Sequence, residues 1–332
     1  MSTISDVAKL AKVSVSTVSR VISGKGYVSK ETQKKVLQAA QELAYSPNLI
    51  ARNLQSGKTQ TIGFITNSPL GFPNSFLGTF IAIANLHDYY VTLYFTNGDK
   101  NKEIDVLNQM KHRQLDGIFV FNRSNEWSVF ESYTAYGPIA TRYRINSKQI
   151  YSSHIDHYPI YLASLNYLYQ QGYKKIAHSM GNPENRNTKA RIKAINSFYQ
   201  GNGLLLNVDW LFCETSTENN GNQLAHWFHH ATDKPEALAC HSDSIAVEFI
   251  SELQNLGYNV PRDVAVIGFD NSDISRLMHV TTVDYSANLQ AENSFVHLYN
   301  QLNNTNIPQH HLEYKLIERK TTPKINDYIE QD

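Results

Sequence analysis

The sequence predicts an all-α helix-turn-helix head at the N-terminus, followed by an α/β body of two doubly wound lobes, each built on a parallel sheet. The head is predicted because helical patterns follow one another over residues 4–45 with only tight turns between them. The body is predicted because short apolar runs alternate with helical patterns after residue 60, and this alternation restarts after residue 160.

Charge is distributed unevenly along the 332 residues. Lys plus Arg and Asp plus Glu both total 30, so the formal net charge is zero. Residues 1–60 nevertheless hold nine basic and three acidic residues, which leaves 21 basic and 27 acidic residues for the remainder. A basic head on a mildly acidic body favours binding of a polyanion by the head.

Composition indicates an ordinary soluble protein of two or three domains, with 41% hydrophobic and 18% charged residues. Asp6 and Lys9 argue against a signal peptide, and no apolar run reaches the length of a membrane span. We therefore expect a cytoplasmic protein in which Cys213 and Cys240 stay reduced. No cofactor and no catalytic residues are expected, since the chain lacks a phosphate-binding glycine loop and a nucleophile elbow.

Three helices are predicted in the head from their caps and apolar spacing. Thr3 and Asp6 fit a capping box ahead of the first helix. Residues 12–13 form the turn, Ser14 caps the second helix, and Ser29 caps the third. The apolar positions of the three helices are Ile4, Val7, Ala8, Ala11, Val18, Val21, Ile22, Val36, Ala40 and Leu43.

The second helix has a polar face that suits DNA. Arg20 can fork onto a guanine edge, and small hydroxyls let a helix approach the sugar-phosphate wall closely. The predicted base contacts are Val15, Ser16 and Arg20, and the predicted phosphate contacts are Ser14, Thr17 and Ser19. Taken alone, these residues also fit an ordinary amphipathic helix with an incidental arginine.

Two stretches of the head resemble a known family. The segments ISDVAKLAKVSVSTVSRVISG and VSKETQKKVLQAAQELAYSPNLIARNL are similar, at nearly every position, to the DNA-binding head of the LacI/GalR (lactose-repressor) family of bacterial transcription regulators. One departure is Lys12, where the family usually has Gly in the turn. A left-handed conformation at Lys12 would cost about 1–2 kcal/mol relative to Gly.

The resemblance also implies a role for residues 47–55, which begin with Pro47. A helix of this length is marginal in isolation, and in the family this hinge helix folds only on operator DNA. Leu54 is implied as the apolar wedge in the minor groove, and Asn48 and Arg52 as contacts to the DNA backbone. The alternative for Leu54 is a core position in a linker helix.

Strands and helices alternate through the body. The predicted strands are 61–65, 90–95, 116–121, 175–178, 237–240 and 264–269, and the predicted helices are 76–84, 102–111, 161–171, 190–199 and 246–256. The segments GYKKIAHSMG, HSDSIAVEFI and NVPRDVAVIGFDN resemble the body of the same family, which is similar to periplasmic sugar-binding proteins. The resemblance covers about residues 2–320.

The chain is accordingly divided into five predicted segments. They are a helix-turn-helix domain (1–46), a hinge helix and linker (47–60), effector-binding lobe 1 (61–158 plus 288–320), effector-binding lobe 2 (159–287) and a short tail (321–332). The tail is too short for a tetramerising bundle of leucine heptads. We therefore expect a homodimer, as a two-fold operator requires.

Candidate ligand contacts follow predicted strands of the second lobe, because ligands bind beyond the carboxyl ends of parallel strands. Carboxylates and arginines in such a cleft suit a polyhydroxylated ligand. The resemblance implies Arg191 and Asp270 as the main effector contacts, with Asn74 and Phe76 on the opposite wall. Asp243 is a weaker candidate that would otherwise serve the hinge or the fold. For Arg191 and Asp270 the alternative is a structural cap or salt bridge.

Three departures from the family leave the identity of the effector open. Ser216 stands where the family often has an aromatic residue that stacks on a ring. Tyr143 and Arg144 stand where the family often has Asp-Arg. Asp156 and His157 occupy an Asp-Asn position, which we interpret as structural.

Together these observations predict a sequence-specific bacterial repressor of carbohydrate-utilisation genes, which binds near-palindromic double-stranded DNA. Its DNA affinity would be switched by a sugar or sugar-phosphate effector between the lobes. One alternative is a catabolite-control regulator whose main co-effector is a phosphorylated protein. Others are a sugar-binding module or a carbohydrate enzyme. His226, His229 and His230 have a spacing that zinc can use, but no metal motif accompanies them, so we expect no metal site.

Overall fold

The computed structural model describes residues 2–23, 26–45, 57–67, 74–213 and 220–324. The chain divides into two compact units, Met1–Gln60 and Thr61–Asp332. In the described part of the first unit the helices are α1 (Ile4–Ala11), α2 (Val15–Ser23) and α3 (Lys30–Glu42). The predicted hinge contacts Asn48, Arg52 and Leu54 lie outside the described residues.

The caps of the head helices confirm the sequence-based predictions. The Thr3 hydroxyl accepts the Asp6 N–H at 3.3 Å, and the Asp6 carboxylate accepts the Thr3 N–H at 2.9 Å, which completes a capping box. Lys12 ends α1 in the left-handed region, with φ 53° and ψ 43°. The Ser14 hydroxyl accepts the Thr17 N–H at 3.1 Å and so caps α2. The turn therefore tolerates Lys in place of the usual Gly.

The three helices share one small apolar core. Val7, Val18 and Val36 are each fully buried and come from α1, α2 and α3 in turn. Each helix buries one face and leaves the other to solvent, as the helical spacing predicts. The exposed face of α2 is consequently available for a partner.

The body contains the remaining elements. The described strands are β1 (Thr61–Thr66), β2 (Tyr90–Phe95), β3 (Gly117–Val120), β4 (Ile139–Thr141), β5 (Tyr151–Ser152), β6 (Ile176–Ser179), β7 (Leu211–Phe212), β8 (Ala237–Ala239), β9 (Ala265–Ile267), β10 (Thr282–Asp284) and β11 (Lys315–Ile317). The described α-helices are α4 (Asn74–Leu86), α5 (Lys100–Lys111), α6 (Trp127–Glu131), α7 (His157–Gln170), α8 (Arg186–Gly201), α9 (Asn220–His230), α10 (Asp243–Asn255), α11 (Asp273–Leu277) and α12 (Ala287–Asn303). A 3₁₀ helix spans Val208–Trp210.

Among the described strands, two parallel sheets form the body. The first has the order β2-β1-β3-β4-β5 and the second the order β7-β6-β8-β9. We call the parts built on them the first lobe and the second lobe. Strands β10 and β11 pair antiparallel as a separate ribbon. The predicted architecture of an α-helical head and two parallel-sheet α/β lobes is confirmed.

Both faces of the second sheet are buried. Along β8, Ala237 and Ala239 pack into one apolar cluster, whereas Leu238 packs into the other. The first cluster includes Phe198 of α8, and the second includes Phe249 of α10. Burial on both sides explains why this strand reads as a continuous apolar run.

The chain returns to the first lobe after β10. Phe295 of α12 lies in the same cluster as Phe64 of β1 and Phe80 of α4, and the Phe80 and Phe295 ring centroids are 5.8 Å apart. A segment that is remote in sequence thus completes the first core. Across the described residues, no helix combines the length and apolarity needed to span a membrane.

Candidate functional site

The exposed side of α2 carries the predicted DNA contacts. Val15 is 45% exposed, and Ser14, Ser16 and Arg20 are exposed as well. Thr17 and Ser19 are half-buried. These side chains lie on a different face of α2 from fully buried Val18. An exposed apolar residue beside an arginine is the combination that major-groove recognition uses.

Hydroxyl groups cluster where α2 begins. The Ser14 Oγ lies 2.8 Å from both the Ser16 Oγ and the Thr17 Oγ1. Small hydroxyls and the first backbone N–H groups of a helix both favour phosphate oxygens. The start of α2 therefore has the chemistry of a phosphate contact, beside the base-reading position of Arg20.

The body holds an open cleft of about 1420 Å³ between its two lobes. The cleft is lined by residues that follow strands of both sheets: Phe121 after β3, Arg142 after β4, Gly181 after β6, His241 after β8 and Asp270 after β9. Arg191 of α8 and Tyr285 after β10 also line it. The cleft thus lies where open α/β sheets bind ligands.

Arg191 is held in one orientation at this cleft, although its side chain is only 6% exposed. Its Nε donates to the His157 Nδ1 at 3.2 Å, and its Nη1 donates to the His241 carbonyl oxygen at 3.0 Å. The guanidinium lies 4.0 Å from the ring centroid of Phe269, a distance that favours a cation–π contact. Three segments of the chain therefore fix the direction of this donor.

His157 must be neutral for this arrangement, because its Nδ1 accepts the hydrogen bond from Arg191. Burial lowers the pKa of His157 well below 6.5, and the positive charge of Arg191 lowers it further. The ring stacks on Phe269 at a centroid distance of 5.2 Å. His157 therefore orients Arg191, and it also lines the cleft.

Asp270 presents a carboxyl group to the cleft from a strained backbone. Its φ of 132° lies in a region that L-residues rarely adopt, and such positions cost about 1–3 kcal/mol. Burial raises the pKa of Asp270 to about 7; the charge of Asp243 adds to this, and Arg191 and Arg142 oppose it. Both the backbone strain and the burial of the carboxyl group oppose folding, so Asp270 is a candidate for ligand binding.

Replacing Asp270 with Asn is expected to raise the melting temperature at pH 8 by more than at pH 5. The folded protein keeps a proton on Asp270 up to about pH 7, whereas the unfolded chain loses it near pH 3.8. Stability therefore falls as the pH rises through this window, and Asn has no proton to lose. Differential scanning calorimetry at both pH values measures the effect.

Asp273→Asn is the matched control, because Asp273 is exposed and only three residues away. An equal change in melting temperature for Asp270→Asn at the two pH values would contradict the environment assigned to Asp270.

Each of the two units of the chain matches the profile of a known protein family. Residues 3–48 match the profile of bacterial regulatory proteins of the lacI family, and residues 165–322 match that of a periplasmic binding protein-like domain. The HTH-type transcriptional regulator YkvZ of Bacillus subtilis (strain 168) is 31% identical over 97% of this chain and all of its own length. The chain belongs to the LacI family. It is a DNA-binding transcription regulator, as its relatives are.

Other relatives match over most of their length. The NTD biosynthesis operon regulator NtdR of Bacillus subtilis (strain 168) is 32% identical over 86% of this chain and 88% of its own. Catabolite control protein A of Priestia megaterium is 32% identical over 83% of this chain and 84% of its own.

Solved structures share the architecture. The lac repressor dimer bound to operator and the anti-inducer ONPF matches with a TM-score of 0.81 at 21% identity, covering 97% of this chain and 99% of that one. A LacI family regulator from Lactobacillus casei with bound sucrose matches with a TM-score of 0.72 at 23% identity, over 79% and 99% of the two chains. These matches confirm the fold of this LacI-family protein.

Asp243 holds the fold together instead of lining the cleft, which corrects its prediction as an effector contact. Its side chain is fully buried. The Oδ2 accepts the Ser272 N–H at 2.7 Å and the Ser272 hydroxyl at 2.8 Å, and the Oδ1 accepts the Thr282 hydroxyl at 2.5 Å. Asp243 therefore positions the segment after Asp270, and its acceptor sites are used within the protein.

Phe76 also differs from its prediction as a wall of the cleft. It is 1% exposed and packs against Phe119 and Phe121, with ring centroids 5.3 Å and 5.5 Å away. The apolar face of α4 is buried on the first sheet, and Phe121, against which Phe76 packs, lines the cleft. Asn74 is the first residue of α4, and its side chain lies outside what the structure describes.

Several lining residues were not predicted from the sequence. Arg142 directly follows β4, His241 lies two residues beyond the end of β8, and Tyr285 directly follows β10. The strand-end rule would have found Arg142 had β4, three residues long, been recognised.

Two departures from the family make contacts within the protein. The Tyr143 hydroxyl donates to the Asn122 Oδ1 at 3.1 Å, and Arg144 pairs with Asp156 at 2.8 Å. The third departure, Ser216, lies outside the described residues. Among the described residues, no group of His, Cys, Asp or Glu is arranged to hold a metal ion, and His226 instead contacts Glu252 at 3.0 Å.

Proposed function

We propose that this regulator is a repressor of carbohydrate-utilisation genes, whose affinity for its operator is switched by a sugar or sugar phosphate in the cleft. The observation that carries the proposal is the pairing of a fixed donor, Arg191, with an acceptor, Asp270, on one wall of the cleft. Both groups suit the hydroxyls of one small ligand. The Lactobacillus casei relatives with bound sucrose and bound glucose support a sugar as the effector.

The proposed switch acts through closure of the lobes. Arg186 of the second lobe donates from its Nη1 to the Arg144 carbonyl oxygen at 3.2 Å and to the Asn146 Oδ1 at 3.4 Å, both in the first lobe. A ligand that bears on both walls would favour one degree of closure over another. In a dimer, closure would alter the spacing of the paired heads and so change the DNA-competent population.

The DNA-binding form is proposed to be a homodimer in the bacterial cytoplasm, on near-palindromic double-stranded DNA. A recognition helix reads one half-site, so a two-fold site calls for two copies of α2. The lac repressor relative, a dimer bound to operator, supports this assembly. Leu54 of the predicted hinge would bend the DNA between the half-sites, with Asn48 and Arg52 on the DNA backbone.

Fluorescence anisotropy tests the proposal. Sites selected from random DNA should be near-palindromic and bind two protein chains per duplex. Mono- and disaccharides and their phosphates are then titrated into the complex, and at least one is expected to change the affinity for DNA. A duplex with one half-site scrambled is the control.

A second candidate follows from the similarity to catabolite control protein A. In that case a phosphorylated protein would be the main co-effector, and no sugar or sugar phosphate would alter DNA binding by the purified chain. Selected sites without two-fold symmetry would contradict both candidates.

A further inference from the structure

Arg142 is an arginine in the cleft that forms no salt bridge with another described residue. It follows β4 directly and is half-buried on the first-lobe wall. Its guanidinium stacks on Phe121, with the carbon 4.7 Å from the ring centroid. Within the described residues it makes no hydrogen bond or salt bridge, so its N–H donors are available to a ligand. An arginine fork matches the two oxygens of a carboxylate or phosphate.

The charges near Arg142 are not balanced by the protein. Arg142 and Arg191 both act on Asp270, which is the carboxyl that lines this part of the cleft. Asp243 also acts on Asp270, but its side chain is fully buried. Its carboxylate accepts hydrogen bonds from Ser272 and Thr282, and the positive charge of Arg319 acts on it. Two guanidinium groups therefore face one carboxyl group.

Other charged residues of the cleft are engaged elsewhere. Arg144 pairs with Asp156 at 2.8 Å, and Glu184 pairs with Lys189 at 2.7 Å. Glu248 accepts the Gly221 N–H at 3.0 Å. Glu131 lines the cleft as well, but its charge does not contribute to the pKa shift of Asp270 or of Arg191. The excess of positive charge is thus local to Arg142 and Arg191.

The start of α8 adds to this field. Residues 185–188 line the cleft, and Asn185 makes no side-chain cap to the first turn of the helix. Uncapped N–H groups at a helix N-terminus favour negative charge. The start of α8 therefore adds to the positive potential that Arg142 and Arg191 create in the cleft.

We propose that the effector is an acidic carbohydrate, a sugar phosphate or a sugar carboxylate, whose anionic group binds Arg142 across the cleft from Arg191. The proposal rests on the proposed function and narrows the class of its ligand. A neutral sugar would leave most of the Arg142 donors without strong acceptors, whereas a phosphate or carboxylate fills the fork. Because Arg142 is in the first lobe and Arg191 in the second, such a ligand would join the two walls.

Calorimetric titration of the full chain tests this with inorganic phosphate and a matched series of glucose, glucose 6-phosphate and gluconate. All titrations are run at one ionic strength set with chloride. Inorganic phosphate and at least one of the two acidic sugars are expected to bind the parent, and glucose to bind at least tenfold more weakly. Which acidic sugar binds more tightly distinguishes phosphate from carboxylate as the source of the anion.

Arg142→Gln is expected to weaken binding of the anions at least tenfold, and Arg142→Lys is expected to restore part of it. Lys193→Gln is the matched control, because Lys193 is an exposed cation of α8 outside the lining of the cleft, and it should change anion affinity by less than about twofold. Melting temperatures near that of the parent would show that the variants fold.

The outcomes separate the two proposals. Anion binding that is unchanged in Arg142→Gln, or absent in the parent, overturns the acidic effector. If glucose binds more tightly than both acids and alters DNA affinity, the acidic effector is wrong and the sugar-switched regulator stands. If no sugar or anion binds or alters DNA affinity, both are overturned.

Discussion

Replacing Arg191 with Ala is expected to shift the effector response to roughly 10- to 100-fold higher effector concentrations, while DNA binding without effector stays largely intact. Arg191 is fixed by His157, the His241 carbonyl and Phe269, so its direction is set before the ligand arrives. Loss of a hydrogen bond to a charged group costs about 1.5–3 kcal/mol, which lowers affinity by roughly 10- to 100-fold.

The measurement is a titration of effector into the protein–operator complex, followed by fluorescence anisotropy. Asp270→Ala should behave in the same way, since both residues would hold one ligand. Lys193→Ala is the control, because Lys193 is exposed on the same helix, two residues further on. If Arg191→Ala and Asp270→Ala both respond at the parent's effector concentration, the effector site lies elsewhere, and a protein partner becomes the leading account.

The second large effect is expected at Arg20. Arg20→Ala should cost about 1–3 kcal/mol of binding to the selected operator and relax the preference at one position of each half-site. Arg20 is exposed on α2 beside Val15 and Ser16, whereas the opposite face is anchored by Val18. Arg20 lies outside the apolar core of the head, so its loss should leave that core intact.

Binding to operator and scrambled duplexes at several salt concentrations measures this effect. Lys34→Ala is the matched control: Lys34 is exposed on α3, and loss of a phosphate contact there would weaken both duplexes alike. An unchanged ratio of operator to scrambled affinity in Arg20→Ala would show that α2 does not read the bases through this residue.

Elements that stand in a clear apolar run were predictable from local sequence, including the three-residue strands β8 and β9, whereas several other short strands and one long helix were not. The six-residue strands β1 and β2 fall within one residue of their predicted bounds, because each is long enough to show a pattern. The strands β4, β5 and β7 have only two or three residues and leave no periodic signal. Helix α12 was also missed, although Ala287, Ala291, Phe295 and Leu298 mark one buried face at helical spacing.

In the candidate site, the residues that a ligand would contact were easier to predict than the residues that pack within the protein. The resemblance to the LacI/GalR family, together with the strand-end rule, implied Arg191 and Asp270 as cleft residues, and both line the cleft. Neither the resemblance nor the rule revealed that Asp243 points to Ser272 and Thr282, because that depends on where a segment 29–39 residues away passes. Phe76 likewise became a core residue through α4 packing on the sheet, a tertiary contact that its own sequence neighbourhood does not determine.

The contact from Arg186 to Arg144 and Asn146 bears on how such a switch evolves. It joins the two lobes through protein atoms alone, so part of the free energy of closure is independent of the effector. The apparent affinity of a ligand scales with the fraction of protein already in the competent form. Substitutions at this bridge would therefore reset the effector concentration at which the gene responds, without altering which effector is recognised. Sensitivity and specificity would then be separately mutable properties of one cleft.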